Sequence, residues 1–113
     1  MTPEVIDAFC RALPGATMEV LWGADWVYKV GGKMFAATGP SGGVSFKAND
    51  VAFAMLTETG VARPAPYAAR FGWVQMDDPS ALPEADLRAY LTEAHALIAA
   101  KLPKKQKAAL GLG

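Results

Sequence analysis

The sequence predicts an α+β fold, an antiparallel sheet of four to five strands with three helices packed on one face. Two observations predict it. The apolar pattern changes from helical spacing to four short β-rich runs, then to a helix, one more strand and a long helix, whereas a nucleotide-binding fold alternates strand and helix. The length of 113 residues suits one compact core, and the 52 % hydrophobic and 19 % charged composition excludes a disordered chain. A single domain over residues 1–107 with a flexible tail over 108–113 is expected, with a radius of gyration of about 13 Å.

Thr2-Pro3-Glu4 reads as a helix start, with Thr2 as N-cap and Pro3 at the first helical position, where its missing N–H costs nothing. Val5, Ile6, Phe9, Cys10 and Leu13 recur at helical spacing until Pro14-Gly15. Runs 17–22, 26–30, 33–38 and 44–47 are strands, separated by the turn chemistry of Gly23-Ala24-Asp25, Gly31-Gly32 and Gly39-Pro40-Ser41-Gly42-Gly43. A two-residue hairpin at Gly31-Gly32 would set Val30 opposite Lys33, Lys29 opposite Met34 and Tyr28 opposite Phe35. Asn49 or Asp50 caps a helix through Glu58, with Gly60 at its C-terminal end. Pro64 and Pro66 make 61–69 an extended loop, and 72–76 is a fifth strand before Asp77-Asp78-Pro79. The longest helix covers 83–101, with Leu87, Leu91, Ala94, Ile98 and Leu102 on one stripe and Pro103 as its stop.

Cys10 is the single cysteine and His95 the single histidine, so neither an internal disulfide nor a Cys/His zinc cage can form. A reducing, cytoplasmic setting is the expectation. No apolar run approaches the roughly 18 residues a membrane span needs, so no membrane partner is expected. Gly31-Gly32-Lys33 is followed by Met34 and lacks the upstream glycine of a phosphate loop, and no nucleophile elbow or zinc-binding helix is present. Cys10 reads as a small buried hydrophobe, His95 as a hydrogen-bonded core residue, and Asp77-Asp78 as a solvated turn and cap. No catalytic set, metal or cofactor emerges.

Eleven basic and eleven acidic residues give zero net charge, which argues against a globally basic nucleic-acid binder. The charges are unevenly placed, however. Residues 26–49 carry Lys29, Lys33 and Lys47 with no acid, residues 59–76 carry Arg63 and Arg70, and the end of the chain carries Lys101, Lys104, Lys105 and Lys107, while the helices are acidic. Trp26, Tyr28, Phe35, Phe46, Tyr67, Phe71 and Trp73 interleave with the basic residues, a pattern that serves either base stacking or simply the core.

In order and spacing, Val27-Tyr28-Lys29-Val30-Gly31-Gly32-Lys33-Met34-Phe35, Phe46-Lys47, Pro64-Ala65-Pro66-Tyr67, Gly72-Trp73-Val74 and Lys101-Leu102-Pro103-Lys104-Lys105 resemble the MmcQ/YjbR-like proteins. These are small, mostly bacterial and largely uncharacterised. The resemblance implies an α+β fold and a DNA-binding label derived from comparison with winged and double-wing binders; it implies no catalytic residues. The last helix departs from the family, carrying Ala94-His95 where Ser-Tyr is frequent. The leading expectation is weak nucleic-acid binding, with Lys33, Lys47, Arg63 and Arg70 on phosphates, Tyr67 or Trp73 stacking, and Lys104, Lys105 and Lys107 adding sequence-independent attraction. The alternative is a small-ligand or protein-partner adaptor without catalytic activity, in which 63–73 walls a groove.

Overall fold

The Thr2 hydroxyl accepts the Val5 N–H at 3.2 Å, and helix α1 runs Pro3–Arg11 from that cap. The structure is a computed structural model that describes residues 1–23, 25–66 and 68–112. Strands β1 (Ala16–Leu21), β2 (Asp25–Val30), β3 (Lys33–Thr38) and β4 (Val44–Lys47) form an antiparallel meander. Helix α2 (Asp50–Glu58) follows, its Asn49 cap accepting the Ala52 N–H at 2.7 Å. Strands β5 (Arg63–Pro64) and β6 (Trp73–Met76) extend the sheet to six strands in the order β1-β2-β3-β4-β6-β5. Helices α3 (Glu84–Ala99) and α4 (Lys104–Ala109) complete the chain.

The sixth strand lies within the region expected to be loop. Pro64 cannot donate to a ladder, so β5 stays two residues long at the sheet edge, where a proline blunts further pairing. The register of the Gly31-Gly32 hairpin is also corrected at one position. Val30 pairs with Lys33 and Lys29 with Met34 as expected, but Tyr28 pairs with Ala36 because a bulge falls between Tyr28 and Lys29. With one extra residue in β3, Phe35 and Ala36 are both fully buried in the core, which strict alternation forbids.

Helices cover one face of the sheet. Ile6 and Cys10 of α1, Ala52 and Leu56 of α2, and Leu87, Leu91, Ala94 and Ile98 of α3 share a core with Tyr28, Phe46, Val74 and Met76. Spacings of four, three and four along α3 keep that stripe against the sheet. The Cα radius of gyration is 13.3 Å, as the length requires. At the end of the chain, Gly31 takes φ +60°, and a Cβ there would lie 2.6 Å from a Leu102 methyl. Only glycine lets the turn and the α3–α4 junction approach so closely. Gln106 of α4 then donates to the Gly31 carbonyl at 2.9 Å, and Leu110 and Leu112 pack against the core. The C-terminal residues read from sequence as a loose tail thus include the end of a docked helix.

Candidate functional site

The uncovered sheet face follows from the register. Glu19, Val27, Ala37, Ser45, Gln75 and Arg63 are consecutive cross-strand partners, so their side chains emerge on the side away from the helices. Ala37 and Ser45 are small, and a hollow of about 410 Å³ opens above them. Met34 and Gln75 complete its floor, Trp22 and Asp25 bound it from the β1–β2 turn, and Ala65, Pro66, Ala68 and Trp73 bound it from the other side. The hollow continues toward the β3–β4 turn at Gly39–Gly43, with Asp25, Ala37, Ser45 and Gln75 shared by both parts. Val27 and Ala65 are buried apart from the main core.

The rims are built differently. On one, Trp22 is the sole non-glycine residue among those described with positive φ, at 52°, and it is 68 % exposed. A left-handed backbone costs an L-residue about 1–2 kcal/mol, and a residue exposed to that extent recovers little of it by burial. On the other rim, Gly72 takes φ +81° at the end of a short 3-10 turn, where a Cβ would lie 3.0 Å from the Ala48 carbonyl oxygen. Its own carbonyl accepts the Ala48 N–H at 2.9 Å, and this hydrogen bond starts β6 against β4 so that Trp73 pairs with Lys47.

The expected basic residues divide into two groups. Lys33 and Lys47 lie at the end of the sheet made by the Gly31-Gly32 turn, the start of β3 and the end of β4. Lys104, Lys105 and Lys107 join them, because α4 docks on that turn through Gln106. Lys47 donates to the Phe71 carbonyl, and partial burial, then repulsion from Lys101, lower its pKa from the usual lysine value against the opposing charge of Asp50. Lys101 thus belongs to the same end, although sequence reasoning did not place it in the site. Arg63 lies elsewhere: its guanidinium donates twice to Asp77, at 3.0 and 3.2 Å, and so meets a carboxylate instead of standing free for phosphate. Hydrogen bonds from Arg63 hold the Asp77 carboxyl below its ordinary range. Arg70 stacks on the exposed Phe71 ring at 4.8 Å. Tyr67 lies outside the described residues.

Lys33, Lys104, Lys105 and Lys107 form no ion pair among the described residues, whereas Arg63, Arg88, Arg11 and Lys29 each do. The opposite end of the sheet is acidic. Asp25 begins β2 there, Asp77 and Asp78 follow β6, and Glu4 lines a hollow with Trp26, Thr38 and Gly39. Exposed lysines thus gather at one end and Asp25, Asp77 and Asp78 at the other, although Asp50 lies near Lys47 and Arg63 near Asp77.

The remaining polar candidates are engaged in hydrogen bonds within the fold. Asp78 accepts the Ser80 N–H at 3.0 Å and caps a 3-10 turn, and its bonds to Ser80 lower its pKa. His95 is buried, with Nε2 2.7 Å from the Pro14 carbonyl and its ring edge-on to Phe35. Among the described residues no His/Cys/Asp/Glu group is arranged to hold a metal ion, and no helix is long and apolar enough to cross a membrane. Trp22, Met34, Asp25 and Gln75, which line the hollow, are not among the candidates the sequence singles out. Trp22 beside Gly23 was the available signal; the other three meet only through strand register.

Comparison with known proteins agrees with this architecture. The crystal structure of Deinococcus radiodurans protein DR2400, of domain family DUF419, superposes with a TM-score of 0.87 at 21 % identity, covering 99 % of this chain and 89 % of that one. At that identity the likeness speaks to the fold. No curated protein matches the chain. The family model described as YjbR matches residues 11–97, which include the whole meander, α2, β5, β6 and nearly all of α3, and the chain belongs to the YjbR family.

Proposed function

We propose that this protein binds nucleic acid, meeting the phosphate backbone with the lysines around the Gly31-Gly32 turn. The observation that carries the reading is the gathering of Lys33, Lys47, Lys101, Lys104, Lys105 and Lys107 at one end of a chain whose net charge is zero. A neutral protein with separated charges attracts a polyanion in one orientation and repels it in the other. Few phosphates can be reached at once, so binding is weak and falls steeply with salt. Fluorescence anisotropy of labelled single-stranded and duplex DNA at 20 mM and 200 mM salt tests the reading. Micromolar binding at low salt, abolished at high salt, is expected; no binding at 20 mM overturns it.

A second reading, a small-ligand adaptor, draws support from the hollow on the open face. About 410 Å³ lies within the ordinary range of ligand sites, and apolar walls with a few polar groups are their usual make-up. Saturable quenching of tryptophan fluorescence by a small molecule, weakened in Trp22→Ala where only Trp73 remains on the rim, is the result this reading expects. A ligand that quenches equally in Trp22→Ala counts against it.

A further inference from the structure

We propose that the open-face hollow receives an unpaired base of a nucleic-acid strand, and that the protein consequently prefers single strands to duplex. The proposal deepens the nucleic-acid reading and rests on it. Three features point to this occupant. First, Trp22 stands in the left-handed region at φ 52° and is 68 % exposed, so it combines backbone strain with a large exposed apolar surface. An indole held in that way offers a face for stacking, and Trp73 contributes a second from the opposite rim.

Second, the polar groups in the hollow suit the edge of a base. Asp25 offers a carboxylate and Ser45 a hydroxyl, and Gln75, which already donates one N–H to Asp77 at 3.1 Å, retains its amide oxygen as an acceptor. Bases present N–H donors on the edge that pairing would otherwise occupy, so an unpaired base can use these acceptors and a paired one cannot. Third, one rim of the hollow adjoins the basic end. Trp73 on its rim is the cross-strand partner of Lys47, and Lys47 lies close enough to Lys101 for the two charges to repel. A strand whose base lies beside Trp73 therefore has its phosphates beside lysines, while the acidic far end disfavours a duplex running the length of the face.

The test uses the full chain and three fluorescent probes at 20 mM salt: a 12-nucleotide single strand, the same strand with abasic residues at its four central positions, and its duplex. Two variants accompany the native protein. Trp22→Ala removes an exposed indole, and Ala37→Phe fills the floor of the hollow from the face away from the core; circular dichroism checks that both fold. Stacking of one base is worth about a tenfold change in affinity, so the intact strand should bind about tenfold tighter than the abasic strand or the duplex. Either folded variant should bring the intact strand down to the abasic level. If the intact and abasic strands bind equally well, the hollow holds no base and the proposal falls, while phosphate binding at the basic end stands. If no probe binds, the nucleic-acid reading fails and takes this inference with it. Equal affinity of both folded variants and the native protein for the intact strand also overturns the proposal.

Discussion

Tyr28 shows how a single residue joins sheet to helix. Its ring is fully buried in the core, and its hydroxyl donates to Asp7 Oδ1 at 2.9 Å, the same oxygen that accepts from Arg11 at 3.0 Å. Tyr28→Phe keeps the packing and leaves Asp7 with Arg11, so we expect a loss of about 1 kcal/mol in denaturant unfolding. One helical turn beyond Asp7, burial and then the Asp7 charge push the Cys10 thiol from its usual 9.0 up to about 12. Burial likewise raises the Tyr28 phenol above its usual 10.0, with Thr38 opposing and Asp7 reinforcing the shift. Both groups hold their protons more tightly folded than unfolded, so the stability they contribute is complete below about pH 9 and declines as pH rises toward 12. Thermal melts from pH 8 to 11 should show a falling midpoint, with a shallower fall in Cys10→Ala. A thiol reagent at pH 8 should leave Cys10 unmodified in the native protein and react with it in denaturant; rapid native modification would contradict the burial.

Among the elements, α4 depends most on partners remote in sequence. Its six residues include good helix formers, yet a helix of that length is unstable alone. Leu102, Gln106 and Leu110 hold it against Gly31 and Gly15. Gly31 and Gly32 separate the two demands on the turn. Both have positive φ, but a Cβ at Gly32 meets nothing within 4 Å, whereas one at Gly31 collides with Leu102 and Gln106. Gly32→Ala should therefore cost only the left-handed strain, about 1 kcal/mol. Gly31→Ala should cost more and release α4, seen as faster hydrogen exchange over 104–112. Equal exchange in the two variants would show that the helix does not depend on this close approach. Because α4 carries three of the basic residues, this one glycine also decides whether they stand beside Lys33.

For the whole molecule, end-to-end charge separation makes a prediction that total charge does not. Reversing Lys104 and Lys105 to glutamate should lower the slope of log affinity against log salt by about 0.9 for each phosphate that is no longer neutralised. Arg63→Ala and Arg88→Ala remove charges already paired with Asp77 and Glu84, and should leave affinity nearly unchanged. An equal weakening in both sets would mean that only net charge matters. Folding should tolerate the lysine reversals, since both side chains are exposed and unpaired among the described residues.

Much of the architecture is readable from residues alone because it depends on neighbours in the chain. Thr2 and Asn49 cap the helices they precede, Gly31-Gly32 turns the hairpin, and the Leu87-to-Ile98 stripe of α3 faces the core, each through an interaction spanning a few residues. The family resemblance, which follows the same local motifs, is likewise readable at that level. Tertiary structure alone decided the bulge that buries Phe35 beside Ala36, the pairing of Arg63 with Asp77, the docking of α4 and the hollow between Trp22 and Trp73. Each is set by which strands become neighbours and in which register. Periodicity cannot report this, because a one-residue shift in pairing exchanges the faces of a strand without changing its sequence.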